Sequence, residues 1–162
     1  MAKKRKFEIK DIEIVGTHVK VKVDMSRFEK QFQDAQYYLD SQIMTDMLPY
    51  MPRQTGTFIN LTRARSAALA GSGMVVAAAP PQGRYLYEGK VMVDSVTGKG
   101  PRKIPAGPGE CVLRYRKGAK LIPTNRPLTY SNPQATPHWF DTAKKNHGEQ
   151  WVEETKKIAG GN

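Results

Sequence analysis

A chain of 162 residues favours one domain with one modest core. Only 39% of its residues are hydrophobic, and 14 glycines and 11 prolines make it loop-rich. No apolar run approaches the ~20 residues that span a bilayer, so no membrane partner is expected. A single cysteine, Cys111, excludes an intramolecular disulfide framework and argues against a Cys-rich zinc site. The opening Met-Ala-Lys-Lys-Arg-Lys is basic, but no apolar stretch follows it, so it does not read as a secretion signal. Synthesis in a reducing cytoplasm fits.

The net charge of +11 is unevenly spread. Residues 1–24 are net +3, residues 25–55 net −1, and residues 132–162 net zero. Residues 56–131 carry twelve basic and three acidic side chains. A basic surface of that kind attracts polyanions, DNA above all. The plainer reading is a solvated basic loop, or a subunit interface facing an acidic neighbour.

Taken in order, residues 1–6 read as a flexible basic start. Phe7, Ile9, Ile12 and Ile14 indicate a strand with one irregular step. Val15 to His18 reads as a turn. Val19, Val21 and Val23 then alternate with Lys20, Lys22 and Asp24, the pattern of a half-buried antiparallel strand. This first hairpin leads into a long amphipathic helix over 26–48. Phe28, Phe32, Ala35, Leu39, Ile43 and Met47 keep one apolar stripe. Ser26 and Glu29 form a capping-box pattern, and Pro49 stops the helix. About 23 residues make a rod of roughly 34 Å. Arg27, Lys30, Asp34, Asp40 and Asp46 occupy the other face, which is expected to meet water or a partner.

Pro52 and Gly56 mark a tight exit from the helix. A second hairpin is expected next, pairing 57–68 with 74–79 across Gly71-Ser72-Gly73. The Ala, Leu and Arg content of 61–70 leans towards helix instead. Arg84 to Gly89 should pack its aromatic rings near the end of the long helix. Residues 89–135 are broken by Gly98, Gly100, Pro101, Pro105, Gly107, Pro108 and Gly109. Cys111 to Arg116 reads as one arm of a β-ribbon, with Val91–Val96 or Lys120–Ile122 as the other. A long loop of this kind inside a small domain is usually functional. We expect an arm reaching a neighbouring subunit or DNA. Its candidate contact residues are Lys99, Arg102, Lys103, Arg114, Arg116, Lys117, Lys120 and Arg126. A closing helix over 136–159 starts with Thr136 as N-cap and Pro137 at the first helical position. Its stripe of Trp139, Phe140, Ala143, His147, Trp151 and Ile158 should lie on the sheet or the first helix. The whole is a single α+β domain: antiparallel β-hairpins packed on one long helix, a C-terminal helix, and a projecting loop or β-arm.

Residues that carry chemistry are sparse. His18, His138 and His147 have no HxxxH or HExxH spacing. Cys111 has no histidine nearby. Glu153-Glu154 reads as a solvated helix face. Gly71-Ser72-Gly73 and Gly98-Lys99-Gly100 do not match the phosphate-binding GxxxxGK[ST] pattern. RNA-binding signatures are absent from the sequence. No catalytic residue, cofactor or metal is expected.

The order of segments points further. After the long helix come Met51-Pro52-Arg53-Gln54-Thr55-Gly56, then Tyr85-Leu86-Tyr87-Glu88-Gly89-Lys90-Val91-Met92. Pro127-Leu128-Thr129-Tyr130-Ser131, Pro133, Ala135 and Trp139-Phe140-Asp141-Thr142-Ala143-Lys144 follow. This resembles the minor capsid proteins of tailed phages and prophages of Gram-positive hosts. It is also similar to the broader group of head–tail joining, or tail-completion, neck proteins. The resemblance spans roughly residues 25–145 and rests on order and spacing. It implies a structural virion protein, assembled as a homo-oligomeric ring (a hexamer or dodecamer) around the DNA channel. The implied partners are the connector or stopper, the tail terminator or tail tube, and passing phage DNA. The rival expectations are a stand-alone, non-sequence-specific nucleic-acid-binding protein, and a small hydrolase using Cys111 or a histidine.

Overall fold

A computed structural model describes residues 9–53, 56–80, 82–107 and 110–160. The basic start at 1–6, Phe7, Gln54, Thr55, Pro81, Pro108, Gly109 and Gly161 therefore lie outside the described residues. The elements run β1 (Ile12–Val15), β2 (Lys20–Val23), α1 (Ser26–Met47), α2 (Thr57–Ala67), α3 (Gly83–Glu88), β3 (Lys90–Asp94), β4 (Arg102–Gly107), β5 (Glu110–Arg114), β6 (Leu121–Pro127) and α4 (Trp139–Ile158). The fold is α+β. One long helix packs on the C-terminal helix, and the strands form small antiparallel sheets.

α1 ends as the apolar stripe and Pro49 require, with one 3-10 turn over Leu48–Tyr50. Its start differs from the capping-box expectation. Ser26 is already helical, and the cap comes from before it. The Ser26 N–H donates to Asp24 Oδ1 (2.8 Å), and the Met25 N–H donates to Asp11 Oδ1 (3.1 Å). α4 begins at Trp139 rather than Thr136. The residue before it, His138, has φ 51°, a left-handed conformation that non-glycine residues seldom adopt. Its N–H donates to the Tyr87 carbonyl (2.9 Å), which ties the helix start to α3.

α4 runs antiparallel to α1. The Trp151 Nε1–H donates to Asp46 Oδ2 (2.6 Å), the Tyr38 hydroxyl donates to Glu154, and Asn146 Nδ2 donates to the Tyr50 hydroxyl (2.8 Å). Trp139, Trp151, Ala143, Met44, Met47, Met51 and Ile59 form the buried core. The Trp139 ring meets Tyr87 edge-on (centroids 4.8 Å apart) and Phe58 likewise (5.9 Å). Such pairs add about 0.5–1.5 kcal/mol beyond the burial itself.

The expected second hairpin does not exist. Residues 57–67 are helix α2, and 74–79 form no strand among the described residues. Two polar side chains on α2 explain how the extended segment is held without a strand partner. Ser66 Oγ accepts from the Val76 N–H (2.9 Å) and donates to the Val76 carbonyl (3.1 Å). Thr62 Oγ1 accepts from the Ala79 N–H (3.3 Å). The Trp139 Nε1–H takes the carbonyl between them, on Ala77 (2.9 Å).

Asp40 and Asp46 also depart from expectation, because neither simply faces water. Asp40 is buried, and its Oδ2 accepts from the Gly71 N–H (2.8 Å) and the Gly73 N–H (3.0 Å), which stitches the turn after α2 onto α1. Asp46 is the acceptor for Trp151. The stripe itself is only half covered. Phe28 and Phe32 remain 46% and 41% exposed, because the last turn of α4 reaches α1 only near Gln31.

The strands form three separate two-stranded ribbons, β1–β2, β3–β6 and β4–β5. In the first, Ile12 pairs with Val23 and Ile14 with Val21. The Gly16 N–H closes the turn on the Val19 carbonyl (2.7 Å). The third ribbon is nested inside the second. The arm at Cys111–Arg116 therefore does not pair with either expected segment. Its partner is β4, with Arg102 opposite Arg114. The expected partners 91–96 and 120–122 pair with each other instead, through Val93–Ile122 and Asp94–Leu121. The side chain of Cys111 itself lies outside the described part of the structure.

Gly89 joins this ribbon system to the body. It closes α3 at φ 64°, and its carbonyl accepts from the Leu128 N–H (2.8 Å). A Cβ there would stand 2.5 Å from Pro137 Cβ and 3.1 Å from the Tyr130 hydroxyl, so both conformation and space call for glycine.

Candidate nucleic-acid interface

The eight basic residues expected to form a contact surface all lie exposed on the nested ribbons and their connections. They do not form one cluster. Lys99 sits in the loop between β3 and β4, Arg102 and Lys103 open β4, and Arg114 ends β5. Arg116 and Lys117 occupy the turn that leads to β6, where the Ala119 N–H donates to the Arg116 carbonyl (3.0 Å). Lys120 directly precedes β6, its carbonyl accepting from the Ser95 N–H (2.8 Å). Arg126 lies apart, six residues along β6, or about 20 Å at 3.3 Å per residue.

Asp94 organises the near end. Its side chain is only 3% exposed. Arg116 donates Nε to Oδ2 (3.0 Å) and Nη2 to Oδ1 (3.3 Å), and the Val96 N–H also donates to Oδ1 (3.0 Å). The bond from Arg116, then that from Val96, hold this carboxyl below its usual range against the opposing effect of burial. The same carboxylate raises the Arg116 pKa. The backbone completes the loop: the Asp94 N–H donates to the Lys99 carbonyl (2.9 Å), and the Gly98 N–H donates to the Asp94 carbonyl (2.7 Å). The Tyr115 hydroxyl donates to the Met92 carbonyl (2.9 Å), fixing the residue before Arg116.

Between these groups lies a cleft of about 430 Å³, lined by Asp94, Thr97, Lys99, Arg102, Tyr115 and Arg116 among others. Of the eight predicted residues, the structure brings Lys99, Arg102 and Arg116 together here. Arg114 lies directly opposite Arg102 across the ribbon. Like charges facing one another across strands are destabilising, and neither arginine has an ion-pair partner among the described residues. Lys103 stands on the other face of β4 by strand alternation. The charge pattern had marked the cations, but it left out Asp94, the residue that aims one of them. The Asp94-Ser95-Val96-Thr97-Gly98 run is the available signal, since Asp two residues before a free N–H readily caps a turn.

A second surface has the opposite character. Ile12, Ile14, Val21 and Val23 share one face of β1–β2 and are between 38% and 60% exposed. The other face is charged, with ion pairs from Lys20 to Glu13 and from Lys22 to Asp11 (3.4 Å). The hairpin is thus amphipathic, but its apolar face meets no core of its own.

The histidines stay structural in their contacts. The His138 ring stands edge-on to Tyr87 (4.9 Å), and His147 Nε2 lies 3.5 Å from the Tyr50 hydroxyl. His18 lies in the exposed β1–β2 turn. Among the described residues, no group of three or more His, Cys, Asp or Glu side chains is arranged to hold a metal ion. None of the described helices is long and apolar enough to cross a membrane. In comparison with known proteins, no family model matches the chain, and no curated protein or solved structure does.

Proposed function

We propose that the chain is a structural subunit of a tailed-phage virion neck, a head–tail joining ring through which DNA passes. The observation that carries this reading is the exposed apolar face of β1–β2, where Ile12, Ile14, Val21 and Val23 are between 38% and 60% exposed. An isolated two-stranded hairpin is marginally stable at best in water, and this one receives little covering from the described residues of its own chain. A neighbouring subunit supplies that cover. A head-to-tail contact repeated about an axis closes into a ring. The resemblance of residues 25–145 to the minor capsid and neck proteins gives the setting. The ring, a hexamer or dodecamer, sits between the connector or stopper and the tail terminator or tube. The basic ribbons meet the phosphate backbone, which positions DNA without reading its sequence.

Light scattering on the purified protein, alone and with its genomic neighbours, tests the reading. A closed ring in either condition is expected. Ile14→Ser combined with Val21→Ser should abolish it while changing subunit stability by no more than about 0.5 kcal/mol. A strict monomer in both conditions overturns it.

The opposed Arg102–Arg114 pair favours one other reading, a stand-alone nucleic-acid-binding protein. It requires tight DNA binding by the monomer, with steep salt dependence.

A further inference from the structure

We propose that the cleft between the β3–β4 loop and the turn after β5 is a phosphodiester-binding site, holding a short sugar–phosphate stretch of nucleic acid. The inference rests on the reading that this protein handles DNA, and it names where the backbone is held.

Arg116 anchors the cleft. A guanidinium carries five N–H donors in a rigid fork. Asp94 takes two of them, through Nε and Nη2, and the rest remain available. The nearly buried carboxylate fixes the plane of the fork without covering it. An arginine oriented in this way is preorganised, so a phosphate oxygen meets it at lower entropic cost than a freely moving side chain allows. Asp94 accepts from Arg116 and from the Val96 N–H, and its charge is matched by the Arg116 cation. Lys99 and Arg102 then leave the cleft with an excess of two positive charges.

Arg102 faces Arg114 at the same register position. An anion bound beside Arg102 in the cleft adds a charge of opposite sign next to this pair. The wall opposite is aromatic: Tyr115 is half-buried and held by its bond to Met92. A ring beside a cationic groove suits a sugar or base attached to the bound phosphate. The volume of about 430 Å³ is larger than a lone phosphate needs and lies within the usual range of ligand pockets, roughly 300–1000 Å³.

The test uses the full chain and a random-sequence duplex, followed by fluorescence anisotropy across a salt series. Lys99→Gln with Arg102→Gln should weaken binding about tenfold or more. It should also lower the slope of log K against log salt by about two, one for each lost phosphate contact. Neither residue's side chain supports the fold, so the thermal midpoint should not fall. Arg116→Lys keeps the charge and loses the fork. It should weaken binding with little change in slope. Lys144→Gln with Lys145→Gln, on the exposed side of α4, serves as control and should leave both readings as in the wild type. If the α4 pair costs as much as the cleft pair, binding is diffuse and the cleft is not the site. If inorganic phosphate alone binds the cleft tightly while duplex binding ignores the cleft variants, the ligand is a free phosphoryl group and the proposal fails. If no variant or wild type binds duplex at all, the DNA-handling reading falls together with the cleft.

Discussion

The helical body and the ribbons obey different rules. In the body, two tryptophans and three methionines are sealed between α1, α4 and the connections around α2, and several polar groups there are matched to backbone partners. Asp40 serves two glycine N–H groups, while Ser66 and Thr62 serve the segment at 76–79. In the ribbons, nearly every side chain of β1–β2 is open to solvent, and most of β6 is as well. The body is stable through its own burial. Among the ribbons, β3 buries Met92 and Asp94, while β1–β2 buries no side chain.

Three substitutions or conditions break or sharpen this contrast. The largest effect belongs to the body. Trp139→Ala removes a fully buried ring, its two edge-on partners and the bond to Ala77, and should cost about 3–5 kcal/mol. The thermal midpoint followed by circular dichroism should fall by on the order of 10 °C. An unchanged midpoint would mean that this core is not what holds the domain together. A smaller loss is expected for Asp40→Ala. It removes the acceptor of the Gly71 and Gly73 N–H groups, at about 1–3 kcal/mol. Hydrogen exchange should rise at those two amides first.

The smallest effect is local and depends on pH. The Asp94 carboxyl is depressed below its ordinary value of 3.8. A depressed carboxyl contributes stability above the ordinary value and loses it as pH falls through the folded-state value. The loop at 94–99 should therefore keep its form at neutral pH and loosen as pH falls below the ordinary carboxylate value. Exchange at the Val96 amide reports this while the Trp139 environment stays fixed. Simultaneous loss of both signals would show that the ribbon and body melt as one unit.

The parts legible from sequence were those where one face meets one environment. The stripe from Ala35 to Met47 marked α1 because α4 covers that length, and the alternation of Val19, Val21 and Val23 marked the first hairpin. The same alternation misled about burial, since it reports amphipathicity and not what the apolar face touches. Helix α2 was missed because Thr62 and Ser66 occupy its core-facing side, where a periodic reading looks for Leu or Val. Their hydroxyls are spent on backbone groups far along the chain, a partnership that no local pattern encodes. Asp40 was misplaced for the same reason: its carboxylate is matched to two glycine N–H groups 31 and 33 residues away. At the candidate site the cations were legible and their arrangement was not. Charge counts placed Arg126 and Arg116 in one set, although strand pairing carries them to opposite ends of β6.

The nesting of one ribbon inside another has a consequence for how this chain can vary. Asp94 and Leu121 are direct partners, so everything between them leaves and re-enters the fold at a single point. Lengthening such an excursion costs little, because closure entropy grows only with the logarithm of its length. Residues 95–120 thus behave as a cassette mounted on a fixed clasp. Its middle can be shortened, extended or recharged, whereas Tyr115 and Arg116, which bond Met92 and Asp94 of β3, belong to the clasp. Variation in this chain is therefore expected to collect in the excursion rather than in the clasp or the scaffold beneath it.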